Sequence, residues 1–146
     1  VEKQRILGID YGSTKYGLAV TSTGTNYISP LPPLKATKGS VKAYALDEII
    51  VSYGITHIVI GWPEDLLGIK PKCGDLIIDL VKFIKSRQPF CQVELINEKY
   101  TSREAKRQIQ GRSRDSVDSL SACIILQDFL STQALDNAGR THELKH

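Results

Sequence analysis

Arg5-Ile6-Leu7-Gly8-Ile9-Asp10-Tyr11-Gly12, running on through Ser13-Thr14-Lys15-Tyr16 into Gly17-Leu18-Ala19-Val20-Thr21, is the stretch on which the fold turns. An apolar run of strand length ends in an acid, a glycine turn follows, and a second apolar run returns. The pattern predicts a buried strand ending at Asp10 and a returning strand over Gly17 to Thr21, joined as a hairpin. A third strand is expected near Asn26 to Ser29, stopped by Pro30, Pro32 and Pro33, since proline has no place inside a central ladder.

Further along, the period changes to that of a helix. Val41, Ala45, Leu46, Ile49, Ile50 and Tyr53 share one helical face, with Ser40 as N-cap and Gly54 as the stop. Thr56 to Ile60 is a short apolar run of the kind that forms a central parallel strand, and Gly61-Trp62-Pro63 leads into a loop. A second helix is expected from Asp75 to Arg87, with Leu76, Ile77, Leu80, Val81 and Ile84 inward. Gln92 to Ile96 is the next strand, and Thr101-Ser102-Arg103-Glu104 is a capping box that opens a basic helix. A last helix is expected from about Asp115 to Leu130. Strands alternating with helices of this length imply βαβ units, and the leading hairpin adds antiparallel strands. The expected fold is α/β with a mixed sheet and flanking helices, in one domain over residues 1–146 whose last stretch, 131–146, is a polar tail.

Composition narrows the function classes. The 146 residues are 41% hydrophobic and 24% charged, ordinary for a globular chain. The net charge of +3 is too small to indicate a nucleic-acid binder without a local concentration of it. Cys73, Cys91 and Cys123 form neither a disulfide framework nor a zinc spacing with the histidines, so each is expected at or near the core. No apolar run is long enough to span a membrane and VEKQR carries no signal-peptide core, so a cytoplasmic location without membrane contact is expected.

Three acids stand where chemistry is expected. Ligands of open α/β sheets gather beyond the carboxyl ends of the strands. Asp10 and Glu98 follow the first and last strands, and Asp118 falls in the first turn of the final helix, where the small residues Ser121 and Ala122 share its face with Ile125. Carboxylates gathered beside a core are costly unless neutralised, and Mg²⁺ or Mn²⁺ would neutralise them through oxygen ligation. A pair of such ions can activate water and stabilise the leaving oxygen of a phosphodiester. Each acid also has a structural reading: Asp10 as a turn opener, Glu98 as a solvated acid paired with Lys99 or Arg103, Asp118 as a partner of the helix dipole.

The motifs together resemble a known family. Asp10-Tyr11-Gly12 with Gly17-Leu18-Ala19-Val20 is similar to the opening hairpin of the YqgF/RuvX group, and Gly61-x-Pro63 with Gly68 to its central loop. Asn97-Glu98-Lys99-Tyr100-Thr101-Ser102 and Val117-Asp118-Ser119-Leu120-Ser121-Ala122 through Ile125-Leu126-Gln127 are similar to its later elements. The four lie in register over residues 5 to 130. The resemblance implies a ribonuclease H-like fold with a five-stranded mixed sheet. It also implies divalent-metal ligation by Asp10, Glu98 and Asp118, and a nuclease role in maturing the 5′ end of 16S ribosomal RNA. An older description of the group rests on Holliday-junction resolvases. Asn97, Lys99, Thr14 and Thr23 depart from the family pattern; Lys99 offers a point charge where arginine would give a planar fork.

The local basic excess suits a phosphate backbone. Lys99, Arg103, Lys106 and Arg107, with Arg112 and Arg114 beyond, are the expected substrate-binding residues, and Lys70 and Lys72 add to them. The structural alternative is a solvated helix face. Tyr11, Tyr16, Trp62 and Tyr100 are placed in turns and loops where they could stack on unpaired bases, though Trp62 before Pro63 also fits a packed loop anchor. The expected partner is nucleic acid, precursor 16S RNA ahead of DNA junctions, within ribosomal precursor particles. Two rivals stand beside this reading. Gly8 to Thr14 resembles the phosphate hairpin of the actin and sugar-kinase superfamily, but that machinery needs two lobes and this chain has room for one. A non-catalytic nucleic-acid binder on the same fold would require one of the three acids to point away.

Overall fold

The computed structural model describes residues 4–12, 15–25, 27–35, 39–63, 74–98 and 119–133. Strands β1 (Arg5–Asp10), β2 (Lys15–Ser22) and β3 (Ser29–Lys35) are followed by helix α1 (Gly39–Tyr53), strand β4 (His57–Pro63), helix α2 (Gly74–Arg87) and strand β5 (Gln92–Glu98). A further helix, α3, covers residues 119–133. The five strands form one sheet in the order β3-β2-β1-β4-β5. β1 pairs antiparallel with β2, from Arg5 opposite Ser22 to Asp10 opposite Gly17. β1 and β4 run parallel, as do β4 and β5. The mixed sheet expected from the alternation of periods is therefore present.

Strand alternation divides the apolar side chains between two layers. Leu7, Ile9, Leu18, Ile58 and Ile60 meet Leu46 and Ile50 of α1 and Ile77 and Ile84 of α2 on one face. Ile6, Ala19 and Val59 meet Ala122, Ile125, Leu126 and Phe129 of α3 on the other. The α3 set has the i, i+3, i+4, i+7 spacing of a helix that lays one stripe on a sheet. Burying a side chain of this size contributes about 1.5–3 kcal/mol each, so the two layers carry most of the driving force. Leu76 departs from the sequence reading. It is 54% exposed, because α2 rests on the sheet through Ile77 and Ile84 and turns position 76 outward.

The three prolines give a second correction. They lie inside β3 rather than ending it, because β3 is an edge strand whose outward groups need no partner. Between the pairs Tyr16–Leu34 and Leu18–Leu31 the ladder slips, so that Gly17 alone faces Pro32 and Pro33. The stop of α1 follows the sequence reading. Gly54 has φ +62°, its amide donates to Val51, and the Ile55 amide donates to Ile50, the paired bonds of a Schellman cap.

At the other end of the sheet Thr56 ties strand starts together. Its amide and hydroxyl both donate to the Arg5 carbonyl, and its own carbonyl accepts from Gln92. Cys91 is buried and its thiol donates to the Ile55 carbonyl at 3.3 Å. Burial pushes the thiols of Cys91 and Cys123 up, so both stay protonated at neutral pH, as core cysteines do. Their alkylation by iodoacetamide at pH 8 is expected to run at least several-fold slower than that of free cysteine, and to rise on unfolding in urea. Labelling of the native protein at the free-cysteine rate at both sites would contradict that burial. On the surface, Arg87 holds Asp47 across α1 and α2, a half-exposed pair of the kind that contributes about 1 kcal/mol at most.

Candidate active site

Asp10 stands at the end of β1 because the strand leaves its apolar neighbours there. Leu7 and Ile9 are fully buried on one face and Ile6 on the other, whereas Asp10 is half-exposed at the rim. The chain turns at once, and Gly12 makes that turn possible. A Cβ at position 12 would lie 2.3 Å from the Lys15 carbonyl oxygen, so a side chain there would collide with backbone.

Two tyrosines stiffen the base of the turn. The rings of Tyr11 and Tyr16 lie 5.1 Å apart at 38°, a tilted aromatic pair. Tyr16 is only 4% exposed and belongs to the core, not to a base-stacking surface as its place near the turn suggests. Burial first, then the charge and hydrogen bond of Tyr11, push its phenol up to about 12. Trp62 is the last residue but one of β4 and packs, partly buried, against the α1–α2 layer.

The register places Glu98 at the same end of the sheet. Ile9 pairs with Ile60, Gly61 with Ile96, and Pro63 with Glu98. β1 and β5 thus flank β4, and all three strands end side by side. Position 98 lies two strands across from Asp10 and two residues further along, roughly 12 Å by backbone spacing and rise. Asp10 is in phase with Ile6, which packs in the α3 layer. Between β1 and β4 the chain changes its direction of travel through the sheet, the place where open α/β sheets hold ligands.

Helix α3 begins over this same end. The buried Ser119 hydroxyl donates to the Leu31 carbonyl at 2.7 Å. Leu31 pairs with Leu18, and Leu18 with Ile9, so the helix starts level with the residue before Asp10. One turn on, α3 touches β1 closely. A Cβ at Gly8 would lie 2.6 Å from Leu126 Cγ and 3.0 Å from the Ala122 carbonyl oxygen. Only glycine lets the helix approach so near. Ser121, Ala122 and Ile125, whose shared face in the sequence suggests room for a substrate or metal beside position 118, are instead buried, Ala122 and Ile125 in the layer that α3 forms on the sheet.

Asp118 immediately precedes this helix in the chain and lies outside the described residues, as do Lys70, Lys72, Lys99, Tyr100, Arg103, Lys106, Arg107, Arg112 and Arg114. Lys35 had no place in the sequence reading, which ended β3 before Pro30. It closes β3 opposite Lys15, at the Asp10 end of the sheet.

A five-stranded 3-2-1-4-5 sheet covered on both faces, with an acid at the end of its first strand, defines the ribonuclease H-like class of nuclease folds. Residues 4–132 match the RuvX family, described as Holliday junction resolvase, and the chain belongs to that family. A relative from Francisella philomiragia is 32% identical over 133 residues, 88% of this chain and 97% of its own length, and bears the name "Putative pre-16S rRNA nuclease". One of the same name from Francisella tularensis subsp. novicida is 31% identical over the same shares. Among solved structures, the fowlpox virus resolvase bound to Holliday junction DNA aligns with TM-score 0.59 at 12% identity, covering 89% of this chain and 99% of that one. RuvC of Thermus thermophilus with a Holliday junction aligns with TM-score 0.53 at 13% identity, covering 89% and 96%. At such identities the likeness concerns the fold.

Proposed function

We infer that the protein is a divalent-metal-dependent nuclease that hydrolyses phosphodiester bonds, with precursor 16S ribosomal RNA as its substrate in the cytoplasm. The observation that carries this reading is the placement of Asp10 and Glu98 on strands either side of β4, at one end of the sheet and at its switch point. The start of α3 level with Ile9 supports the addition of Asp118 to that pair. The set is all carboxylate, and hard oxygen-preferring cations suit it better than zinc or copper.

Asp10, Glu98 and Asp118 would hold Mg²⁺ or Mn²⁺, with Asp10 central because it lies nearest the switch point. When bound, the metal lowers the pKa of a coordinated water and neutralises charge on the leaving oxygen. The chain's own contribution is geometric. β1 and β4 hold their ends through the ladder, Gly12 lets the backbone pass close to the Lys15 carbonyl, and the Gly8 contact fixes α3 against β1. Lys99, Arg103, Lys106, Arg107 and Arg114 would neutralise the substrate backbone along its path.

The family description favours a second substrate, the four-way DNA junction. Both are tested together with end-labelled precursor RNA and an end-labelled junction, in Mn²⁺ and in chelator. Metal-dependent cleavage of the RNA at discrete positions is expected, with the junction cut at least ten-fold more slowly. Cleavage of the junction alone would move the function to DNA. Absence of cleavage of either would leave a binding protein on a nuclease fold.

A further inference from the structure

Lys15 opens β2 and Lys35 closes β3, and the register sets them directly opposite each other. Their place in the sheet brings two cations to one point. Asp10 faces Gly17, and Lys15 lies two residues further along β2, so both lysines stand at the sheet end that carries Asp10.

They also share its face. Tyr16 and Leu18 of β2, with Leu31 and Leu34 of β3, belong to the α1–α2 layer. The intervening phase, which includes Lys15 and Lys35, therefore belongs to the α3 side, with Asp10. For Lys35 this depends on the bulge. Without the extra residue at Pro32-Pro33, the pleat that buries Leu31 would turn position 35 to the opposite face; with it, Leu34 fills the core and Lys35 comes into line with Lys15. On that face Gly17 contributes no side chain between Asp10 and the two lysines. Strand spacing and rise put the Lys15 and Lys35 backbones roughly 8 and 12 Å from that of Asp10, within reach of long flexible side chains.

We propose that Lys15 and Lys35 form a phosphate clamp that holds the substrate's nucleic-acid backbone on the β3 side of the scissile bond. The clamp rests on the nuclease reading above and adds a site to it. Two ammonium groups recognise a phosphodiester as point charges and carry no sequence information, so the pair sets the path of the strand without choosing its bases. The basic residues selected from the sequence come after β5 in the chain and lie outside the described residues.

The test is the salt dependence of binding to a fluorescein-labelled single-stranded RNA, in chelator so that no cleavage occurs. Between about 50 and 200 mM salt, each phosphate contact contributes roughly 0.7 to the slope of log affinity against log salt. Lys35→Gln is expected to lower that slope by about 0.7 and Lys15→Gln/Lys35→Gln by about 1.4. Lys82→Gln, on the exposed side of α2, is expected to leave it unchanged. Lys35→Arg keeps the charge and should keep the slope; its loss there too would mark a packing role and overturn the clamp. Wild-type slopes in both glutamine variants, from a protein that binds RNA, would overturn the clamp and leave the nuclease reading intact. If the wild-type protein binds neither RNA nor junction DNA, both fall together.

Discussion

Asp10→Asn is expected to lower metal-dependent cleavage on the order of 10³-fold or more while leaving the fold unchanged. The substitution keeps the volume of the side chain, removes its charge and turns one acceptor oxygen into an amide donor. Asp10 lies at the rim of β1, so no buried apolar contact is lost. What is lost is the central oxygen donor of the proposed metal set, and several kcal/mol of transition-state charge stabilisation correspond to three or more decades in rate. A second readout does not depend on activity. A cation that binds the native state raises stability by about 2.7 kcal/mol at a hundred times its dissociation constant. Mn²⁺ should therefore raise the melting temperature of the wild type and not that of Asp10→Asn. Retained cleavage together with a retained Mn²⁺ shift would remove Asp10 from the site.

The largest effect on stability is expected at Gly8. Gly8→Ala inserts a methyl group 2.6 Å from Leu126 Cγ and 3.0 Å from the Ala122 carbonyl oxygen, and Leu126 is fully buried. The side chain cannot swing into solvent, and the backbone contact forces α3 outward. Overpacking of this kind costs about 1–3 kcal/mol, which for a chain of this size lowers the melting temperature by roughly 3–10 °C. Activity should fall further than stability, measured well below the transition, because α3 begins beside the rim where Asp10 stands. Leu126→Ala alone leaves a cavity and costs about 2–5 kcal/mol. The double variant should lose clearly less than the sum, since the smaller residue at 126 relieves the new methyl group. Strict additivity, or an alanine variant as stable as the wild type, would show that α3 is free to shift away from β1.

These two expectations differ in how visible they are from the chain alone. An acid that ends a run of isoleucine and leucine and precedes a glycine turn is a local pattern, and Asp10 is found where that pattern puts it. The sequence puts Glu98 just beyond a strand, and in the structure it is the last residue of β5. Gly8, by contrast, looks like any small residue within a strand. Nothing near it in sequence announces Ala122 and Leu126, more than a hundred positions away. Lys35 was hidden for a related reason. Proline reads as a stop, and at an edge strand it is not one.

The order of periods along the chain thus determined β1, β4, α1 and α2 to within a few residues, the mixed character of the sheet, and the acid at its rim. These follow from steric preferences and side-chain alternation, which depend only on neighbours along the backbone. The tertiary structure alone decided which strand became an edge, where the β3 bulge re-aimed Lys35, that Tyr16 and Trp62 pack inward, and that Leu76 turns out. Those outcomes depend on pairing and close approach between distant segments, for which a local pattern carries no energy difference.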